Sequence, residues 1–114
     1  MTSNRSKDFE SNTQDGVTIE SVLAIIDGKF KCIILSYLSE GRMRYNDLRN
    51  QIGSISDRTL ANQLRELEVD GLVIRTEYDC MPRRVEYGLT DAGRQLKPVM
   101  ALMHDWAVAN IKYD

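Results

Sequence analysis

The sequence has few of the residues that form cross-links, metal centres or catalytic clusters. It contains two cysteines, Cys32 and Cys80, and one histidine, His104, among 114 residues. No CxxC pair and no cluster of histidines and cysteines is present, which excludes the usual zinc-site spacings. The sequence also contains neither a GxSxG element nor a glycine-rich phosphate loop. These absences make an enzyme the weakest hypothesis, and we expect neither a metal nor a cofactor.

The two cysteines are expected to lie in different environments. Cys32 stands in an apolar run and is predicted to be a small buried side chain. Cys80 lies beside Pro82 and Arg83, where exposure and nearby guanidinium groups would favour its thiolate form, so a redox role for Cys80 is an open alternative. We do not expect a disulfide, because it would require a core helix and a loop tip within about 7 Å of each other.

Long apolar runs are absent as well. None approaches the roughly 20 residues that span a bilayer, and residues 1–16 are polar, without the apolar centre of a signal peptide. We therefore expect a cytoplasmic protein without a membrane partner. Residues 1–16 are predicted to be a disordered or mobile tail, and residues 17–114 one domain. The formal net charge of −2 does not favour nucleic acid, although acidic residues on a remote face can offset a basic patch.

The strongest local pattern is SDRTLANQLRELEVD, residues 56–70. Ser56 is a good N-cap for a helix. The predicted buried stripe, at helical spacing, consists of Leu60, Leu64 and Leu67. The opposite side carries Arg58, Asn62 and Arg65. Two guanidinium groups and an amide suit guanine and adenine edges and phosphates, whereas a solvated helix face is the ordinary alternative.

A hairpin is predicted directly after this helix. Gly71 is a natural left-handed residue at the helix end. Residues 72–78 and 84–89 alternate as two strands do, and the loop 80–83 between them is basic. A capped helix that leads into a hairpin with a basic tip has the layout of a recognition helix and its wing.

The remaining elements complete a winged helix-turn-helix. We expect helices over residues 19–26, 29–39, 45–52 and 90–111, and a short strand over residues 42–44. The predicted buried face of the second helix consists of Phe30, Ile33, Ile34, Tyr37 and Leu38. Pro98 should kink or restart the last helix near Lys97. The predicted fold class is mainly α (α+β), a winged helix-turn-helix domain with a β-hairpin wing and dimerisation helices at both ends.

The first and last helices carry more apolar surface than a small core can cover. In the last helix, apolar residues spread over half or more of the helical wheel. Dimerisation explains this excess most simply. As an alternative, Met100, Met103 and Trp106 would line a small-molecule cleft, although no motif supports an effector.

Four segments are similar to the HxlR-type branch of the MarR-like bacterial winged-helix regulators. They are GKFKCIILSYL, GRMRYNDLRNQI, ISDRTLANQLRELEVDGLVIR and RVEYGLTDAGRQLKPVMALMHDW. The similarity covers about residues 17–108. Its most specific part is LRELE-x-DGLV-x-R, followed at the right distance by P-x-RVEY-x-LT-x-x-G. The resemblance implies a homodimeric transcription factor that binds a pseudo-palindromic operator in double-stranded DNA.

The resemblance also implies roles for individual residues. The major-groove positions would be Ser56, Asp57, Arg58, Thr59 and Asn62, with Arg65 near a phosphate or base. The wing positions would be Arg83 and Arg84. Phosphate contacts before and at the preceding helix would come from Arg42, Arg44 and Asn46. The dimer interface would include Ile19, Val22, Leu23, Ile26, Val99, Leu102, Met103 and Trp106. The Cys-Pro pair usual in the family is replaced by Val17-Thr18, so that redox-sensing route is not expected.

A winged helix used only for protein–protein interaction is the main competing hypothesis. The acidic net charge favours it. The arginines on the predicted recognition helix and wing favour DNA instead.

Overall fold

The computed structural model describes residues 16–112, so the predicted tail lies outside the described residues apart from Gly16. The elements are α1 Ile19–Ile26, α2 Lys31–Leu38, β1 Met43–Arg44, α3 Tyr45–Ile52, α4 Asp57–Val69, β2 Val73–Tyr78, β3 Arg84–Leu89 and α5 Asp91–Asn110. This order is the predicted one. None of these helices is long and apolar enough to cross a membrane.

The core is aliphatic and is centred on α2, α3 and α4. Its fully buried side chains are Ile34, Leu35, Leu48, Leu60, Leu64 and Leu67. Each such burial stabilises the fold by about 1.5–3 kcal/mol. The predicted leucine stripe of residues 56–70 is confirmed, and it holds α4 against the core by its inner face.

The three strands form an antiparallel sheet in the order β1-β3-β2. Opposite residues of an antiparallel pair share a face, and Arg75 lies opposite Tyr87 while Glu77 lies opposite Val85. The inner face of the sheet packs on the core through Val73, Tyr87 and Leu89. The outer face carries Tyr78 opposite Arg84. Together with α3 and α4, this sheet makes a winged helix-turn-helix.

The end of α4 is fastened to the start of α5 at a short junction, residues 71, 72, 90 and 93. Gly71 has φ 80°, the left-handed conformation that turns the chain from α4 into β2. The Thr90 hydroxyl donates to the Gly71 carbonyl at 2.6 Å and accepts from the Gly93 amide at 3.1 Å, while the Thr90 amide donates to the Leu72 carbonyl. A Cβ added at Gly93 would overlap the Leu72 carbonyl oxygen, so the junction has no free space.

The predicted orientation of α2 is wrong in two positions. Cys32, expected to be buried, is exposed, and so is Ile33. The buried face is instead formed by Lys31, Ile34, Leu35 and Leu38. Because the run Cys-Ile-Ile-Leu is apolar throughout, its composition does not define a face. The deciding residue is Lys31, which is only 3% exposed and pairs with Glu66 of α4, Nζ to Oε1, at 2.7 Å.

The expected restart of the last helix at Pro98 is also wrong, since α5 continues from Asp91 to Asn110. A proline inside a helix removes its own N–H, which would have reached the carbonyl of Arg94 four residues earlier. Pro98 is exposed, so water can take the place of that donor. Thr90 caps the start of the helix, where its side chain accepts a hydrogen bond from the Gly93 amide.

Candidate nucleic-acid interface

The outward side of α4 carries the three polar residues that the spacing predicted. Arg58, Asn62 and Arg65 are all exposed. None of them makes an ion pair or a side-chain hydrogen bond within residues 16–112. The N-cap is also as predicted: the Ser56 hydroxyl accepts from the Thr59 amide at 3.1 Å, and the two hydroxyl groups lie 2.9 Å apart. The start of α4 is therefore ordered locally, while its donor-rich side is free.

Asp57 connects α4 to α3. Its carboxylate oxygen Oδ1 lies 2.7 Å from Arg49 Nε and accepts a hydrogen bond from the Tyr45 hydroxyl at 3.2 Å. Burial, and next the hydrogen bond to Asp57, raise the pKa of Tyr45, so its phenol keeps the proton that it donates. Asp57 stands at the start of α4, as the resemblance implied, but its side chain is engaged in fixing the angle between the two helices.

The wing contains a three-residue charge cluster, Arg75–Glu77–Arg83. Arg75 Nη1 donates to Glu77 Oε2 at 2.6 Å, and Arg83 Nη2 donates to the other carboxylate oxygen. The hydrogen bonds from Arg75, and then from Arg83, lower the pKa of Glu77. Sequence reasoning named Arg83 but missed Arg75. The signal that could have found it is strand alternation, which places residues 75 and 77 on one face.

Two other predicted cations lie on the outer face of the sheet. The Arg84 guanidinium stacks 4.2 Å from the centroid of the Tyr78 ring. Arg42 Nη1 donates to the Tyr78 hydroxyl at 3.2 Å, and that hydroxyl in turn donates to Glu86 at 3.1 Å. Arg42 also lies against Gly88, where an added Cβ would collide with its side chain. Both arginines are thus held by side-chain partners.

A groove of about 640 Å³ separates the wing from the start of α3. Its charged and amide side chains are Arg44, Asn46, Asp47, Arg75, Arg83 and Arg84. The α3 N-cap, Arg44, makes no capping hydrogen bond through its side chain, so the first N–H groups of α3 lack that partner. The Tyr45 side chain also lines the groove and reaches Asp57, which joins the groove to the start of α4. The structure therefore brings the predicted residues Arg44, Asn46, Arg83 and Arg84 around one positively charged depression.

A second surface is apolar and lies on the terminal helices. α1 has no buried residue. Nine of the thirteen exposed large apolar side chains within residues 16–112 lie on or beside α1 and α5, among them Leu102, 70% exposed, and Trp106, 64% exposed. Of the predicted interface residues, Val22 and Ile26 are half-buried, while the others are exposed: Ile19, Leu23, Val99, Leu102, Met103 and Trp106.

The two cysteines and the histidine lie in two separate places, Cys80 in the loop of the wing and Cys32 and His104 on a groove between α2 and α5. Cys80 is exposed, as expected, and Cys32 lines a groove of about 530 Å³ between α2 and α5. Met100 and Met103 line the same groove, but Trp106 does not. Within residues 16–112, no group of three His, Cys, Asp or Glu side chains is arranged to hold a metal ion.

Comparisons with known proteins agree with this geometry. Residues 25–114 match the family model described as HxlR-like helix-turn-helix. The HTH-type transcriptional regulator YdeP of Bacillus subtilis (strain 168) is 44% identical over 99 residues, which are 87% of this chain and 77% of YdeP. The solved structure of the redox regulator HypR in its oxidized form has a TM-score of 0.74 at 41% identity, covering 83% of this chain and 98% of HypR. A MarR-family regulator from Porphyromonas gingivalis W83 has a TM-score of 0.77 at 25% identity, covering 90% and 100% of the two chains.

Proposed function

Because the chain belongs to the HxlR-like helix-turn-helix family of transcriptional regulators, we propose that it is a sequence-specific DNA-binding homodimer that reads a pseudo-palindromic operator. The names of its relatives point to a regulatory and not an enzymatic role. With DNA as its target, its place of action would be the cytoplasm. The observation that carries the proposal is the positively charged groove between the wing and the start of α3, which Tyr45 links to the start of α4 through its hydrogen bond to Asp57.

Base discrimination is assigned to the free side of α4. Arg58 and Asn62 carry the donors that pair with guanine and adenine in the major groove, each pair being worth about 1–3 kcal/mol when bidentate. Arg65 lies further along the same side, near a base or a phosphate. Ser56 and Thr59 stand at the entering end of the helix, where hydroxyl and amide groups suit a phosphate oxygen.

Affinity that does not depend on sequence is assigned to the groove and the wing. Arg44 and Asn46 line the groove from α3, and Arg83 lines it from the wing, which would follow the adjacent backbone or minor groove. Arg84 lines the groove as well, and Arg42 would contribute charge from the outer face of the sheet. Phosphate contacts of this kind release counterions, so the binding should weaken steeply with salt.

Dimerisation is assigned to the apolar surface on α1 and α5. A helix of eight residues is marginal on its own in water, and α1 buries no residue in the single chain. A second copy on this surface would cover both Leu23 and Trp106. Two recognition helices related by a twofold axis would then read half-sites about 34 Å, or a multiple of it, apart.

The first experiment is selection from a pool of random duplexes, at low and at high salt, under reducing conditions. Enrichment of an inverted repeat would support a dimeric DNA reader and supply the operator. Binding that depends on salt without an enriched motif would contradict sequence-specific reading. Absence of binding at every salt concentration would favour the protein-interaction hypothesis, with which the net charge of −2 is compatible.

Single variants separate base reading from phosphate binding. Arg58→Ala should relax base preference at one operator position, whereas Arg83→Ala should weaken operator and random duplexes by the same factor. Lys97→Ala, which removes an exposed cation from α5, is the matched control and should leave both affinities unchanged. Equal losses on the two duplexes for Arg58→Ala would contradict the assigned division of roles.

The oligomeric state is tested independently of DNA by sedimentation or light scattering. Trp106→Glu places a charge at the centre of the proposed interface and should yield monomers. Val69→Glu is the control, because Val69 is 79% exposed but lies at the end of α4. This variant should remain dimeric. A monomeric wild-type protein, or a dimer that tolerates Trp106→Glu, would refute the proposed interface.

A further inference from the structure

Glu77 is the acidic member of the wing cluster and the feature that DNA binding leaves unexplained. A carboxylate on a DNA-binding wing repels the phosphate backbone. Here it is bound by two guanidinium groups at once, one on each oxygen. These are the groups that a DNA phosphate would attract, since phosphate and carboxylate accept the same charge-assisted hydrogen bonds from arginine.

The position of the cluster relates it to the groove. Arg75 and Arg83 both line the depression between the wing and the start of α3. Arg75 and Glu77 share the inner face of β2 by strand alternation, and Arg83 precedes β3, the strand that pairs with β2. Arg84 also lines the groove, but its guanidinium stacks on the Tyr78 ring, and Arg42 donates to the Tyr78 hydroxyl. Arg75 and Arg83 are therefore the wing arginines joined by one acid at the groove.

We infer that Arg75 and Arg83 form a single phosphate-binding site, which the Glu77 carboxylate occupies in the free protein and which a DNA backbone phosphate takes over on binding. The inference rests on the proposed DNA-binding function and deepens it by naming a phosphate ligand, a contact residue and an internal competitor. No covalent bond is made or broken in the exchange; the hydrogen bonds to the Glu77 carboxylate are replaced by hydrogen bonds from the same N–H donors to a phosphate.

The exchange is physically accessible because all three side chains are partly exposed. Ion pairs in that setting are weak, since water competes with both partners. Once displaced, the Glu77 carboxylate would attract a cation from solution. This uptake opposes the release of counterions from DNA, so Glu77 should lower both the affinity and its salt dependence. Arg58 has no acidic partner within residues 16–112, so base reading should not change.

The test uses the full chain and two labelled duplexes, one random and one selected operator, titrated by fluorescence anisotropy at several salt concentrations. Glu77→Gln should tighten binding to both duplexes about three- to tenfold near physiological salt, and should steepen the plot of log K against log salt by up to about 0.9. The ratio of the two affinities should not change. Glu40→Gln removes an exposed carboxylate at the end of α2; it has the same net charge as Glu77→Gln and should match the wild type.

Arg75→Ala provides a second, independent measurement. It should weaken both duplexes about threefold or more by removing one phosphate contact. Its thermal unfolding should stay close to that of the wild type, because Arg75 lies outside the core cluster. If Glu77→Gln behaves as Glu40→Gln does while the wild type binds DNA, the phosphate site is refuted and the proposed function stands. If Arg75→Ala binds both duplexes as tightly as the wild type does, the phosphate site is likewise refuted and the proposed function stands. A wild-type protein that binds neither duplex refutes both.

Discussion

The buried ammonium of Lys31 allows a quantitative test of how α2 holds α4 in place. The Lys31 side chain is 4% exposed and its Glu66 partner 55%. Glu66→Ala leaves this ammonium without its acidic partner, on a helix where alanine is well tolerated. Lys31→Met removes the charge itself and keeps an unbranched stem of similar size in the core.

The expected losses of stability follow from the exposed fractions of the Lys31 and Glu66 side chains. Breaking a fully buried ion pair costs about 3–5 kcal/mol, and a fully exposed pair contributes about 0–1 kcal/mol. Because one partner is buried and the other half-exposed, we expect Glu66→Ala to lower the free energy of unfolding by about 1.5–3 kcal/mol. Lys31→Met should lower it by less than about 1 kcal/mol, since no unpaired charge is left behind. In the Lys31→Met background, Glu66→Ala should have almost no effect.

The assay is chemical denaturation of the four proteins of this double-mutant cycle, at one protein concentration because the proposed dimerisation would add to apparent stability. For a domain of this size, the loss in Glu66→Ala corresponds to a fall in Tm of roughly 6–20 °C. If Glu66→Ala is as stable as the wild type, or if Lys31→Met is the more damaging change, the pair is not what stabilises this contact.

Two further changes test the α4–α5 junction and the contact between α3 and α4. Gly93→Ala should lower the free energy of unfolding by about 1–3 kcal/mol, because the added Cβ would overlap the Leu72 carbonyl. Alanine usually stabilises a helix relative to glycine, so a Gly93→Ala protein that is as stable as the wild type in thermal denaturation would contradict the close contact between Gly93 and Leu72. Tyr45→Phe should cost about 0.5–1 kcal/mol at pH 7 by removing the hydrogen bond to Asp57. Because burial and this hydrogen bond raise the pKa of Tyr45, the folded state holds the proton more tightly than the unfolded chain does. The stabilisation is therefore complete below the ordinary tyrosine pKa of about 10 and is lost as the pH rises through the raised pKa of the folded protein. The stability difference between the wild type and Tyr45→Phe should shrink over that range, and a difference that stays constant as the pH rises through it would contradict this assignment.

The elements themselves could be predicted because their signals are local. Ser56 and Thr90 accept hydrogen bonds from amides three residues later, and Gly71 has the left-handed conformation expected after a helix. The leucines of α4 repeat at helical spacing, and the stripe faces the core as that spacing requires. Signals of this kind depend on residues within one or two turns, and the sequence displays all of them.

What could not be predicted depends on partners that are distant in the sequence. Lys31 is buried against Glu66, which lies on another helix, so the sequence of α2 alone misplaced Cys32 and Ile33 and did not predict the burial of Lys31. The joint position of Arg75 and Arg83 depends on the register between β2 and β3, and their relation to Arg44 depends on how the hairpin packs beside α3. Charge counting along the chain contains none of this information.

The junction between α4 and α5 has a mechanical consequence for the choice of operator. With twenty residues, α5 is about 30 Å long, and its N-cap, Thr90, is hydrogen-bonded to Gly71 and Leu72, the residues that follow α4. In a dimer assembled through α5, a change in the direction of this helix would be transmitted to α4, because the start of α5 is hydrogen-bonded to the residues that follow α4. A change of about 10° in its direction would displace the recognition helix by about 5 Å, more than the rise of one base pair. The preferred length of the spacer between half-sites would then depend on the angle at which the two α5 helices of the dimer cross.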